Sequence, residues 1–347
     1  MNSIKHDINL FTEIWFKDCF HMSLIPVVNK VLGNADCLMF NQYFLYDIDD
    51  TGAIGLNKEF KNIYELLREK SVDILYDYGN NIIETINNLI SSGFFVIVGI
   101  DNYYETVRAD SYMRQHNGHS IVIYGLNYEK EIYYAMEQPY MFSYEYQFVQ
   151  IPFLDIRKGF DSFLDNREHG KDFFYNELSE ATKIHGKYIP CFCAIKDEII
   201  NIQNIDKFSR ENFKQQLCLN EQVIFEKLSC IKKFSKKIEY YYDLYYKNSK
   251  KGNEQLKRIC DIINNKKVEY YIFQKLDILA KDLEGKNSYV IAAWSQIRNY
   301  IAKLQYSRKY SNTHVKNIQI ILQQIYVNEY EYYKIIFKRL KGKQSET

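Results

Sequence analysis

The chain has 347 residues, with 45 Lys and Arg against 44 Asp and Glu. That length can bury a sizeable core and allows two domains. The balanced charge gives no general attraction for nucleic acid or for an anionic membrane. Tyr (32) and Phe (22) are abundant and Pro (4) is scarce, a composition suited to large half-buried surfaces and pockets with polar tips.

The N-terminus, MNSIKHDINLF, has no apolar core of signal-peptide length. The most apolar run, GFFVIVGI at 93–100, is too short to span a bilayer. A cytosolic protein is expected, with no membrane partner. Its seven cysteines, Cys19, Cys37, Cys191, Cys193, Cys218, Cys230 and Cys260, are then expected to be mostly reduced. CFC at 191–193 lacks the paired spacing of a zinc site and reads as part of a strand.

In chain order, FKDCFHMSLIPVVNKVLG (16–33) comes first. Phe20, Leu24, Val27, Val28 and Val31 recur at helical spacing, Gly33 is a stop signal and Pro26 predicts a kink. Cys19 falls in the first turn. A helix N-terminus favours negative charge and so eases ionisation of a thiol; the plainer reading is a small buried hydrophobe. Residues 37–48 read as helix or strand around buried aromatics. Residues 58–91 read as helices through Ile63, Leu66, Leu67, Ile82, Ile83, Ile86 and Leu89, broken at Ser91, Ser92 and Gly93. FFVIVGID (94–101) predicts a buried strand. Residues 119–139 predict two strands joined near 127–130, with further strands within 144–153 and 188–195. Beyond about 205, helical spacing covers 208–247, 253–264, 267–283, 288–307 and 313–340. NSKKGN (248–253) and LEGKNS (283–288) read as turns. The expectation is an α+β domain over 1–165, a connector with room for an extra strand over 166–204, and a helical domain over 205–347.

A nucleophilic cysteine needs a base, and the base needs an orienting group. His119 follows Asn117-Gly118 at the head of the strand SIVIYG. The next strand ends at Glu137-Gln138-Pro139, and a hairpin of that length brings its end back beside His119. Either Glu137 or Gln138 can face the imidazole; alternation alone does not choose between them. The plainer reading makes His119 and Gln138 simple strand ends. Cys19, His21, His116 and His119 form no closed ligand set and no helical His-x-x-x-His, so no metal is expected. There is no phosphate-cradling glycine loop.

The ordered set DCFHMSLIPVVNKVLG, FFVIVGIDNYYE (94–105), NGHSIVIYGLN (117–127) and YYAMEQPY (133–140) resembles the butirosin-biosynthesis acyltransferase N-terminal family, itself similar to the papain-like cysteine peptidases. The resemblance covers roughly 15–155. It implies a papain-like fold with Cys19 as nucleophile, His119 as base and Gln138 as orienting residue where the family has Asp, Glu137 being the alternative. Asp101, Tyr103 and Tyr104 would shape the substrate pocket, with Trp15 beside them. A neutral Gln would orient the imidazole but stabilise imidazolium less. FTEIWFKDC lacks the Gln that papain-like proteases carry before the cysteine, which leaves the second oxyanion donor unassigned.

The reaction implied moves an acyl group from a phosphopantetheine thioester on an acyl carrier protein to Cys19. The acyl group then passes to an amine acceptor, a diamine among the candidates, in natural-product biosynthesis. Thioester to amide is downhill, so no cofactor is needed. A cysteine peptidase or thioesterase would use the same residues, and a non-catalytic papain-like scaffold would keep only the fold. Residues 227–258 carry ten Lys or Arg against Glu239, Asp243 and Glu254, which suits either an acidic carrier or a solvated helix face. No nucleic-acid motif accompanies them.

Overall fold

A computed structural model describes residues 3–14, 18–41, 44–49, 52–56, 63–75, 81–138, 140, 145–168, 183–184, 187–188, 192–198, 205–279 and 281–344. Trp15 and most of the connector at 166–204 lie outside them. The chain divides into two units, Met1–Leu38 with Lys61–Ile205, and Met39–Phe60 with Asp206–Thr347. The first is α+β on an antiparallel sheet; the second is helical with one small hairpin.

The first unit is built on FFVIVGID, a run too apolar for an edge. It forms β5 (Phe94–Asp101), buried along its whole length. In chain order, its sheet partners are β1 (Ser3–Lys5), β4 (Ile74–Leu75), β6 (Gly118–Asn127), β7 (Ile132–Glu137), β8 (Gln147–Pro152) and β11 (Phe192–Lys196). The sheet runs β4-β11-β5-β6-β7-β8, all pairs antiparallel, with β1 joining the far half of β6. The extra strand expected of the connector is β11. A register shift between Ile123 and Gly125 marks a bulge. Gly125 is needed there, because a Cβ would meet the Ile4 carbonyl and Lys5 Cα of β1.

Three longer helices cover the sheet. Helix α1 (Cys19–Leu32) is capped by the Asp18 side chain, which accepts from His21 N, and ends at Gly33 with φ 79°. Pro26 lies inside it without ending it, and Leu24, Ile25, Val27 and Val28 around it are fully buried. The short α2 (Asp36–Met39) and α3 (Ile63–Glu69) follow. Helices α4 (Ile82–Ser91) and α5 (Phe153–Glu168) share one core with Val98, Ile100, Ile121, Ile123 and Ala135. Strand pleating puts the equally buried Ile97, Val122 and Met136 on the other face, where α1 lies. The sheet is thus sandwiched, with α4 and α5 below and α1 above.

The second unit begins earlier than composition suggested. Residues 39–60 fold with it through a hairpin of β2 (Tyr46–Ile48) and β3 (Ile54–Leu56), a connection too far along the chain for local patterning to show. Beyond the small pair β9 (Lys183–Ile184) and β10 (Lys187–Tyr188), which precedes β11, its helices are α6 (Ile205–Leu219), α7 (Glu221–Lys236), α8 (Ile238–Lys247), α9 (Ser249–Lys275), α10 (Lys281–Ser307) and α11 (Asn312–Gln344). Neither expected turn occurs as read. Asn248 caps α9, whose first turns contain Gly252, and Gly285 lies within α10. A Cβ at Gly252 would strike the Gln305 amide, so that glycine serves helix packing rather than a turn.

Side chains of α9 complete the hairpin. Gln255 Oε1 accepts from Ile54 N at 3.0 Å while its Nε2 donates to Ile54 O at 3.3 Å, replacing a missing strand. Asn265 Nδ2 donates to Leu56 O at 2.8 Å. Beneath the hairpin lies a buried ionic knot. Lys266 Nζ donates to Glu269 at 2.7 Å and Glu329 at 2.8 Å. Tyr46 donates to Glu329 at 2.6 Å, Tyr333 donates to Glu269, and Trp294 Nε1 donates to Tyr46 at 3.1 Å. Burial alone would lower the Lys266 pKa, but the two carboxylates outweigh it and raise it.

Candidate active site

The residues singled out in sequence converge on one end of the sheet, where β5 and β7 finish and β6 begins. Cys19 opens α1 and is 8% exposed. One turn on, Ser23 Oγ donates to Ser120 O at 3.0 Å, which seats the start of α1 on the head of β6. Asp18 Oδ1, of the residue before Cys19, accepts from His21 N (2.9 Å) and His21 Nδ1 (2.8 Å).

His119, the second residue of β6, is buried. Its Nε2 lies 2.9 Å from Glu137 Oε1, within ion-pair range but off the line of a hydrogen bond. Of the two partners the sequence left open, Glu137 is therefore placed against His119. Gln138 is buried beside it, and its backbone N–H donates to the same Glu137 oxygen at 2.6 Å. Arg108 Nη1 donates to Glu137 Oε1 at 2.9 Å, and its other nitrogens bind Asp110. Burial would lower the Arg108 pKa, but Asp110, Glu137 and Glu105 raise it. Glu105 is enclosed nearby, with its carboxyl facing that of Glu137 just outside hydrogen-bonding geometry. Burial, then the Glu137 charge, hold its carboxyl well above the usual carboxylate range. Neither Arg108 nor Glu105 stood out in sequence; the only signal was charge within an otherwise loop-like stretch.

Register fixes which way these side chains face. Ile100 pairs with His119 and Val98 with Ile121, so His119 shares the face of Ile100 and Ile121, beneath α5. Val122 pairs with Met136 and Glu137 with Gln147. Extending both registers aligns Ser120, Gln138 and Tyr146 in one row on the opposite face, under α1. The structure therefore brings Cys19, Gln138 and Tyr146 to the α1 side, and His119, Glu137 and Arg108 to the α5 side, of the same sheet end. Tyr146 is nearly fully buried, and its hydroxyl pKa is raised well above the ordinary value. Burial is the main cause, followed by the charges of Cys19, Glu137 and Asp18.

Asp101 forms a separate hub. Its Oδ1 accepts from Tyr103 N and Asn117 N, and its Oδ2 accepts from His116 Nδ1 at 2.6 Å and Ser162 Oγ at 2.7 Å. The half-exposed His116 ring stacks on Tyr103 with centroids 4.1 Å apart, and Tyr104 meets it edge-on. The expected pocket wall of Asp101, Tyr103 and Tyr104 is thus one cluster organised around His116.

Among the described residues no group of three or more His, Cys, Asp or Glu is placed to hold a metal ion. No described helix is long and apolar enough to cross a membrane. In the second unit, Lys227, Lys233 and Lys237 line a cleft of about 500 Å³ with Glu226, Asp47, Cys230 and Tyr241, and Lys227 pairs with Asp47 at 3.1 Å. No family model matches the chain, and no curated protein matches it either.

Proposed function

We propose that the chain is a cysteine-dependent, amide-forming acyltransferase with a papain-like catalytic unit. Cys19 accepts an acyl group from a carrier-protein thioester, and an amine then takes it from Cys19. The observation carrying this reading is the thiol in the first turn of α1, seated through Ser23 on Ser120 of β6, with the buried His119–Glu137 contact at the preceding residue of that strand. The helix N-terminus favours the thiolate. The pleat starts His119 on the other face of the same sheet end, so this reading requires its imidazole to swing round the head of β6 to take the thiol proton, and Glu137, fixed by Arg108, then stabilises the imidazolium. The neutral Gln138 is then spared the orienting role. In the second half-reaction His119 removes a proton from the amine as it attacks. Enclosure of Cys19 supports transfer over hydrolysis, since a dry thioester waits for an amine. In the cleft of the second unit, three lysines against Asp47 and Glu226 leave a small positive excess, with Lys233 and Lys237 the side chains available to an acidic carrier.

Incubation with a short acyl thioester tests this reading directly. Intact-protein and peptide mass spectrometry should find the acyl mass on Cys19, none on Cys19→Ala, and release as amide when amine is added. No adduct on the parent protein defeats the reading, and water outcompeting the amine turns it into a thioesterase. A non-catalytic scaffold is favoured by the pleat that sets Cys19 and His119 on opposite faces. It predicts a Cys19 no more reactive to iodoacetamide than the other cysteines, and indifferent to His119→Ala.

A further inference from the structure

We propose that the Tyr146 hydroxyl is the side-chain donor of the oxyanion hole, the position left vacant by the missing glutamine before Cys19. This rests on the acyl-enzyme reading above. Three observations carry it. The register of β6, β7 and β8 puts Tyr146 on the α1 face, in the row that starts at Ser120, the residue whose carbonyl holds Ser23. Tyr146 is 5% exposed, and its hydroxyl lies beside the Ser23 hydroxyl, which favours the phenolate, but outside hydrogen-bonding geometry with it. The Ser23 hydroxyl beside it gives its own proton to Ser120 O. A buried phenol with an uncommitted proton costs about 1–3 kcal/mol. Such orphans in a native fold call for an explanation, and a substrate oxygen arriving over Cys19 provides one.

The surroundings keep that proton in place. Burial and the negative charges of Cys19, Glu137 and Asp18 oppose ionisation of the phenol and outweigh the Ser23 hydroxyl that favours it, so it remains a donor when the thiolate forms. As Cys19 Sγ bonds to the thioester carbonyl carbon, the π pair moves to oxygen, and the Tyr146 O–H and the Cys19 N–H donate to it. On collapse the pair returns and the bond to the carrier sulfur breaks. The leaving thiolate takes the proton that His119 removed from Cys19. Tyr146 keeps its own proton throughout and acts only on the charge that develops in the transition state.

Tyr146→Phe separates this role from packing. Acylation of Cys19 by an N-acetylcysteamine thioester should slow by about 10²- to 10³-fold. Alkylation of Cys19 by iodoacetamide forms no oxyanion and should stay within about twofold of the parent. The variant should melt close to the parent, because the hydroxyl it loses meets the Ser23 hydroxyl only outside hydrogen-bonding geometry. Site-specific 3-fluorotyrosine at 146, a stronger donor of the same shape, should retain or speed acylation. Equal slowing of acylation and alkylation would reduce Tyr146 to a packing residue and overturn the proposal, as would unchanged acylation in Tyr146→Phe. Absence of acylation in the parent would remove the acyl-enzyme reading and this one together, a result distinct from the other two.

Discussion

Glu137 gathers three neighbours: the His119 ring, the Arg108 guanidinium and the Gln138 N–H. Arg108 is enclosed, so its charge is tolerable only while its carboxylates are present. Removing one member of a buried ion pair costs about 3–5 kcal/mol. Arg108→Met should lower unfolding stability by that order in urea titrations. Glu105 gives a pH signature. Its carboxyl is raised in the folded protein by burial and by Glu137. The folded state therefore holds a proton that the unfolded chain releases near its ordinary value of 4.5. Its contribution to stability is fully present below that pH and is lost as pH rises towards the folded value. Glu105→Gln keeps the shape and cannot ionise. Relative to the parent, it should gain stability between pH 5 and pH 8, read from urea midpoints at the two pH values; a constant difference would show that Glu105 does not titrate differently on folding. At this scale hairpin length brought His119 and the Glu137/Gln138 pair to one sheet end, where His119 meets Glu137, and helical spacing put Cys19 at the head of α1. The sequence left out Arg108, Glu105 and Tyr146, which lie in or beside segments without periodicity and are recruited only by tertiary folding.

Regular elements were legible where one physical signal dominated. The run 94–101 is β5 to the residue, because seven consecutive apolar or small residues closed by Asp suit a buried strand. The hairpin of β6 and β7 followed from two strand-like runs joined near 127–130, and the Gly33 stop closed α1 where the spacing put it, whereas the Asp18 cap emerged only in the structure. Glycine misled twice in the second unit, where packing outweighed local propensity. Gly252 makes room for Gln305 inside α9, and Gly285 is carried within the 27-residue α10. Gly52, in the β2–β3 connection, is the opposite case. Its φ is 82°, and an added Cβ would also strike the Tyr241 ring. A left-handed non-glycine residue costs about 1–2 kcal/mol before any clash. Gly52→Ala should therefore lower the thermal midpoint clearly, whereas Gly285→Ala, with nothing within 4 Å of its Cβ, should raise it or leave it unchanged.

The change in composition near 205 marks a true border between units, yet the chain crosses it more than once. Residues 39–60 leave the sheet-bearing unit, complete the helical one and return. Their contribution is specific. Tyr46 donates to Glu329 and accepts from Trp294, and Ile54 and Leu56 satisfy Gln255 and Asn265. Without that hairpin, Lys266, Glu269 and Glu329 would keep their charges but lose the phenol that caps Glu329, and the amides of Gln255 and Asn265 would face no backbone. Partly satisfied buried polar networks are costly because the low dielectric that strengthens each bond also penalises each unpaired group. A fragment covering 206–347, cut where composition suggests, should keep helical circular dichroism but bind hydrophobic dye and unfold without a sharp transition. The same fragment with residues 39–60 fused through a flexible linker should regain cooperative unfolding, and a Tyr46→Phe version of the fusion should regain only part of it. Cooperative unfolding of the bare fragment would show instead that the ionic knot closes on its own, and that the hairpin is an ornament on the helices rather than one of their structural members.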